Sequence, residues 1–139
     1  MAEWTQKSDL VVGAVLVSGD KAPTVMTKEM VENMEEGSVI VDVAIDQGGC
    51  IETSRPTTHA EPTYKERGVI HYCVTNMPAL TPRTSTEALT KATLPYVLKL
   101  ANLGIEHALE NDFGLRGGLQ TQAGKAIHPM IQKLFPQWA

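Results

Sequence analysis

No stretch of this sequence forms a basic block. The 12 basic residues are outnumbered by 16 acidic ones, the formal charge is −4, and a nucleic-acid partner is not expected. No apolar run approaches the ~20 residues that cross a bilayer, which argues against a membrane partner. The opening MAEWTQKSDL lacks the charged-then-apolar layout of a secretion signal. Cysteine occurs only as Cys50 and Cys73, which fits a reducing, cytoplasmic compartment better than a disulfide framework. Internal repeats are absent, and so are G-x-S-x-G, C-x-x-C and phosphate-loop patterns. The histidines His59, His71, His107 and His128 share no metal-ligand spacing. What is present is 139 residues, 42% hydrophobic and 20% charged, enough for a real core and unlike a disordered chain.

Two segments, DLVVGAVLV (Asp9 to Val17) and SVIVDVAI (Ser38 to Ile45), are near-continuous and rich in β-branched residues. That pattern predicts strands buried on both faces, as in parallel sheets. GVIHYCVTN (Gly68 to Asn76) is a third, more mixed strand. Between the first two, TKEMVENMEEG predicts a helix capped by Thr27, with Met26 and Val31 at staple spacing and Gly37 after the last turn. Strand, helix, strand makes a βαβ unit with a right-handed crossover. The next link, ETSRPTTHAEPTYKER, carries two prolines and many turn formers and reads as a loop. A long helix follows, with Thr84 and Glu87 as its capping box and Leu94, Val97, Leu98, Ala101, Ile105 and Ala108 at helical spacing. Leu89, Tyr96, Leu100 and Leu103 fill much of the remaining circumference, so the helix is expected to be buried or covered by a partner. Pro95 predicts a kink near Lys91, and Gly104 is a weak point. The glycine-rich tail after Asn111 ends in a short amphipathic helix around Pro129 to Phe135.

In open parallel sheets, ligands bind beyond the carboxyl ends of the strands. Here those ends run into VLVSGDKAP, AIDQGGC and VTNMPALTP, which places Leu16, Asp46 and Asn76 around one cleft. Gly48 and Gly49 would let a flat ligand approach the backbone. On spacing alone the alternatives stay open: a strand-exit carboxylate is often a loop residue or helix cap, and a glycine pair is often a turn.

The segments DLVVGAVLV, KAPTVMTKEMV, GSVIVDVAIDQGGC, HYCVTNMPALTPRTSTEALTKATLPYVLKLAN and GLQTQAGKAI together resemble alanine dehydrogenase, over nearly the whole chain to about Ile127. The nucleotide domain of proton-translocating transhydrogenase is a more distant likeness, with a Glu-Ala pair where Asp46-Gln47 stands here. The resemblance implies an α/β fold: the second half of a Rossmann-type parallel sheet of three strands, then a long kinked helix and a short C-terminal helical segment. It implies a partial NAD-binding domain over 1–80, and the connecting helix with part of a substrate lobe over 81–139. It implies NAD as cofactor and L-alanine and pyruvate as substrate and product. By the same resemblance Val15 and Leu16 lie along the nicotinamide-ribose side, Val43 lines that pocket, and Val74, Asn76 and Met77 stand beside the nicotinamide. Asp46 matches the family's active-site aspartate, which helps relay protons.

Equally, the G-x-G-x-x-G turn, the ribose-binding acid beyond it, and the family's substrate-binding and histidine residues have no counterpart here. Where Ser18 stands, proline is common in the family. The expectation is therefore a C-terminal fragment or truncated homologue. It would bind NAD weakly, lack activity alone, and join a homo-oligomer (hexameric in the family) or a missing N-terminal half. The alternative is a non-catalytic association module.

Overall fold

A computed structural model describes residues 1–138, which cluster into two units, Met1–Met77 and the residues from Pro78 onward. In the first, helix α1 (Ala2–Gln6) precedes strand β1 (Leu10–Gly13), helix α2 (Lys28–Glu32), strand β2 (Val39–Asp42), a 3₁₀ turn (Val43–Gln47), strand β3 (Thr63–Glu66) and strand β4 (Val69–Tyr72). The sheet order is β1-β2-β4-β3. β1 pairs β2 and β2 pairs β4 in parallel, while β3 joins β4 antiparallel.

The three parallel strands form where the sequence predicts them, though shorter. The sheet has a fourth strand, where a loop was expected. Its residues Thr63–Glu66 meet Val69–Tyr72 across the turn at Arg67 and Gly68, both of positive φ. A hairpin needs only such a turn and a neighbouring edge. The prolines that signalled a loop, Pro56 and Pro62, lie before the strand.

Burial corrects the expectation of strands covered on both faces. Ile40 and Asp42 of β2, with Val69 and His71 of β4, point inward and are buried. On the opposite face Leu10 and Val12 are each 56% exposed. The inward face packs on Met26, Val31, Met34, Ala44, Cys50 and Ile51, with Val11, Val15 and Met30 partly buried against them. Thr27 caps α2 by accepting the Met30 amide, as its position predicts. The helix is short, ending at Glu32, and Gly37 instead turns the chain into β2 at φ +91. Cys50 and Cys73 are both buried free thiols.

The second unit contains α3 (Pro82–Leu103), α4 (Ile105–Asn111), α5 (Phe113–Gly117), the β5–β6 hairpin (Thr121–Gln122, Lys125–Ala126) and α6 (Pro129–Leu134). The long helix starts earlier than the capping-box reading placed it. Thr81 is the N-cap and Pro82 occupies the first turn, where its missing N–H costs nothing, so Thr84 and Glu87 lie inside. α3 runs through Pro95 and stops at Gly104, whose φ of 74 and ψ of 166 separate it from α4. No residue of α3 is buried. At the start of α5, Asp112 caps through the Leu115 amide and pairs with Lys99, which holds its carboxyl below the usual range. Among the described residues, no helix is long and apolar enough to cross a membrane.

Candidate functional site

The carboxyl ends of β1, β2 and β4 release three loops on one side of the sheet, and hydrogen bonds tie them together. The Ala22 amide of the first loop donates to the Gln47 carbonyl of the second at 3.0 Å. The Asn76 amide of the third donates to both Asp46 carboxylate oxygens, at 3.3 and 3.4 Å. Asp46 and Asn76, 30 residues apart in the chain, thus share one bond.

The second loop is shaped by its first residue. Asp42 lies on the inward parity of β2 with Ile40, and no part of it reaches solvent. Its Oδ2 accepts the amides of Cys50 at 3.0 Å and Ile51 at 3.3 Å, and its Oδ1 accepts the Cys50 thiol at 3.5 Å. The ladder stops after Asp42, and Val43–Gln47 forms a 3₁₀ turn whose first three residues were expected as the end of the strand. That turn puts Asp46 and Val43 at the surface and buries Ala44 and Ile45. Gly48 and Gly49 leave it at φ +95 and +80, a conformation that favours glycine, and their amides return to Ile45 and Ala44 carbonyls at 3.0 Å.

The predicted site residues fall into three groups. Asp46 and Asn76 are bonded together and exposed, with Asn76 in the left-handed region at φ 55. Leu16 at 74% and Val43 at 47% exposure offer apolar surface at the same strand ends, with Met77 half-buried after Asn76. Val15 packs partly against the core, and Val74 is wholly buried and presents no surface to a ligand. Sequence reasoning missed Asp42. The signal available was its parity: an acid two residues after Ile40 in an apolar run must face inward.

Behind these loops lies a buried polar cluster. His71 has no solvent exposure; its Nε2 is 2.8 Å from Thr53 Oγ1 and its Nδ1 3.2 Å from the Val69 carbonyl. Donation from Nδ1 to Val69 leaves Nε2 to accept from Thr53. Burial pushes the imidazole below its usual pKa. Tyr64 stacks on His71 at 4.9 Å and donates to the Thr53 carbonyl, and Arg55 lies 4.0 Å over the Tyr64 ring. Desolvation raises the pKa of the Tyr64 phenol. Similarly, burial raises that of the Cys50 thiol, so neither Tyr64 nor Cys50 is poised as a nucleophile.

A dinucleotide would need a place for its pyrophosphate, ordinarily a helix N-terminus behind a glycine-rich turn. The one helix between parallel strands here is α2. Its first amide, on Lys28, is already bonded to the Glu52 carboxylate at 2.7 Å, and the Met30 amide of the same turn donates to the Thr27 hydroxyl. The N-terminus of α2 is therefore not open to a diphosphate. Among the described residues no group of three His, Cys, Asp or Glu is placed to hold a metal ion.

Residues 1–129 match the family model described as alanine dehydrogenase/PNT, C-terminal domain. An alanine dehydrogenase of Halomonas elongata is 53% identical over 135 residues, covering 97% of this chain and 36% of that protein. One from Mycolicibacterium smegmatis is 54% identical over 133 residues, with 96% and 36% covered. Among solved structures, an L-alanine dehydrogenase superposes with a TM-score of 0.83 at 50% identity, over 100% of this chain and 39% of that one. A transhydrogenase from Sinorhizobium meliloti gives 0.68 at 25% identity, over 92% and 34%. The chain therefore spans about 36% of the length of these curated relatives.

Proposed function

The chain belongs to the alanine dehydrogenase/PNT C-terminal domain family, and from that premise we propose that it carries the nicotinamide-facing part of an NAD-dependent alanine dehydrogenase site. The observation that carries this is the bond between Asp46 and Asn76, which joins two strand-end loops on the side of the sheet where Leu16 and Val43 are exposed. In the proposed reaction L-alanine, NAD and water give pyruvate, ammonia and NADH. Hydride transfer requires donor and acceptor carbons within roughly 3–3.5 Å in a water-poor slot. Leu16, Val43 and Met77 would line that slot by side chain, and Val15 and Val74 would stiffen it from behind. Asp46, at the rim, would steady the cationic iminium and hold a proton, working with an acid–base group from elsewhere in the assembly.

Residues 1–80 then act as a partial NAD-binding domain, and 81–139 as the connecting helix with part of the substrate lobe. The Glu52 carboxylate on the α2 N-terminus supports weak cofactor binding by this chain alone, since the pyrophosphate has no receptor. Catalysis by the chain alone is not expected. The setting is cytoplasmic, consistent with two free thiols.

Titration with reduced nicotinamide mononucleotide and with NADH, followed by amide NMR, tests this. Both ligands should bind weakly with similar affinity and shift the Asp46, Gly48 and Asn76 amides. Alanine-dependent NADH formation by the purified chain, abolished by Asp46→Asn, would overturn the reading of an incomplete site. Absence of any shift at those three amides would overturn the cofactor reading itself.

A second reading is favoured by α3: a 22-residue helix with no buried residue serves association, either in a homo-oligomer or with a polypeptide supplying the other lobe.

A further inference from the structure

We infer that Asp42 is a positioning residue of this site, whose buried carboxylate sets where Asp46 stands. The inference rests on the reading that Asp46 faces the nicotinamide. The contacts themselves do not depend on it. Asp42 closes the loop that begins at its own position, since its two oxygens hold the Cys50 amide and thiol and the Ile51 amide. Asp46 lies at the midpoint of that closed loop. Both feet are anchored. Asp42 continues β2, and the Cys50 carbonyl accepts the Val25 amide at 2.8 Å.

Packing leaves the carboxylate little freedom. A Cβ on Gly49 would stand 3.1 Å from Asp42 Oδ2, and one on Gly13 would stand 2.6 Å from Cys50 Sγ and 3.5 Å from Asp42 Oδ1. A glutamate, one methylene longer, would have to displace this packing. The charge is also costly for what it holds. Among the described residues no cation forms an ion pair with Asp42, so two amides and a weak thiol donor alone offset its desolvation. A side chain needed only to fill space would be cheaper as an apolar group. A buried carboxylate accepting directed N–H bonds instead sets the loop's conformation. The bonds from Asn76 to Asp46 are long, 3.3 and 3.4 Å, so a small shift of the loop breaks them.

The test uses the ¹⁵N-labelled chain and the pH dependence of the Asn76 amide shift, which follows Asp46 ionisation through that bond. In Asp42→Asn one oxygen still accepts both amides and the NH₂ faces the Cys50 sulfur, so the Asn76 response should persist. In Asp42→Ala both amides lose their acceptor, and the response should fall by more than half. A folded Asp42→Ala chain with an unchanged Asn76 response overturns the proposal. Should the alanine variant not fold, Asp42→Asn decides. Loss of the Asn76 response while the Cys50 and Ile51 amides stay protected from exchange would equally overturn it, and its persistence there supports it. NADH added to the unsubstituted chain separates the two ideas. If it moves none of the Asp46, Gly48 or Asn76 amides, the cofactor reading fails, and the positioning role stands or falls on the pH series alone.

Discussion

His71 couples burial to pH. Its ring is wholly enclosed, stacked on Tyr64 and bonded at both nitrogens, and burial holds its pKa below the unfolded value. The unfolded chain, with a histidine near 6.5, therefore takes up a proton that the folded chain refuses. The stability this group contributes is complete above about pH 6.5 and is lost progressively as pH falls from there toward the folded value. Urea-unfolding midpoints measured downward from about pH 7.5 should fall, and His71→Gln should flatten that slope. An unchanged slope in the variant would assign the pH dependence to carboxylates instead. At this scale Asp46 and Asn76 were legible in the sequence because strand exits in parallel sheets point to one side. Their mutual bond was not, because it depends on Asn76 adopting φ 55.

The elements differ in how much local sequence decides them. Thr27 caps α2 because a short hydroxyl at the turn meets the Met30 amide whatever surrounds it. Thr84 and Glu87 carried a similar signature for α3 and lost to Pro82, which starts the helix sooner from a Thr81 N-cap. The other end is governed by Gly104. At φ 74 and ψ 166 it holds a conformation reserved for glycine, and an added Cβ would meet no atom within 4 Å. Gly104→Ala should therefore destabilise the chain by ~1–3 kcal/mol through backbone strain alone. Gly117, in α5 with equally open space and no positive φ, is the control. Gly117→Ala should stabilise by ~0.4–1 kcal/mol. Thermal or urea unfolding of both variants measures the contrast, and equal effects would refute the strain account.

Across the whole molecule, apolar surface stays uncovered in both units. Leu10 and Val12 are open on the sheet, and Leu94, Val97 and Leu98 lie between 46% and 55% exposed on α3. Surface of that kind drives association. Light scattering should show apparent mass rising with concentration, and Leu94→Glu with Leu98→Glu should abolish the rise while the chain stays folded by circular dichroism, since neither side chain is buried. A concentration-independent monomer mass would sink the association reading.

From sequence alone came the parallel strands, their order along the chain, the long apolar helix, the family and the strand-end residues. All are carried by local composition or by motif, which one chain can display without its neighbours. Tertiary structure alone decided the fourth strand, the early end of β2 and the contacts of Asp42. Each depends on what a segment meets in space: an edge free to pair, or two amides within reach of a carboxylate. The same holds for the uncovered faces. An apolar run announces that a strand or helix will be buried, and only the packed molecule shows which side is left open.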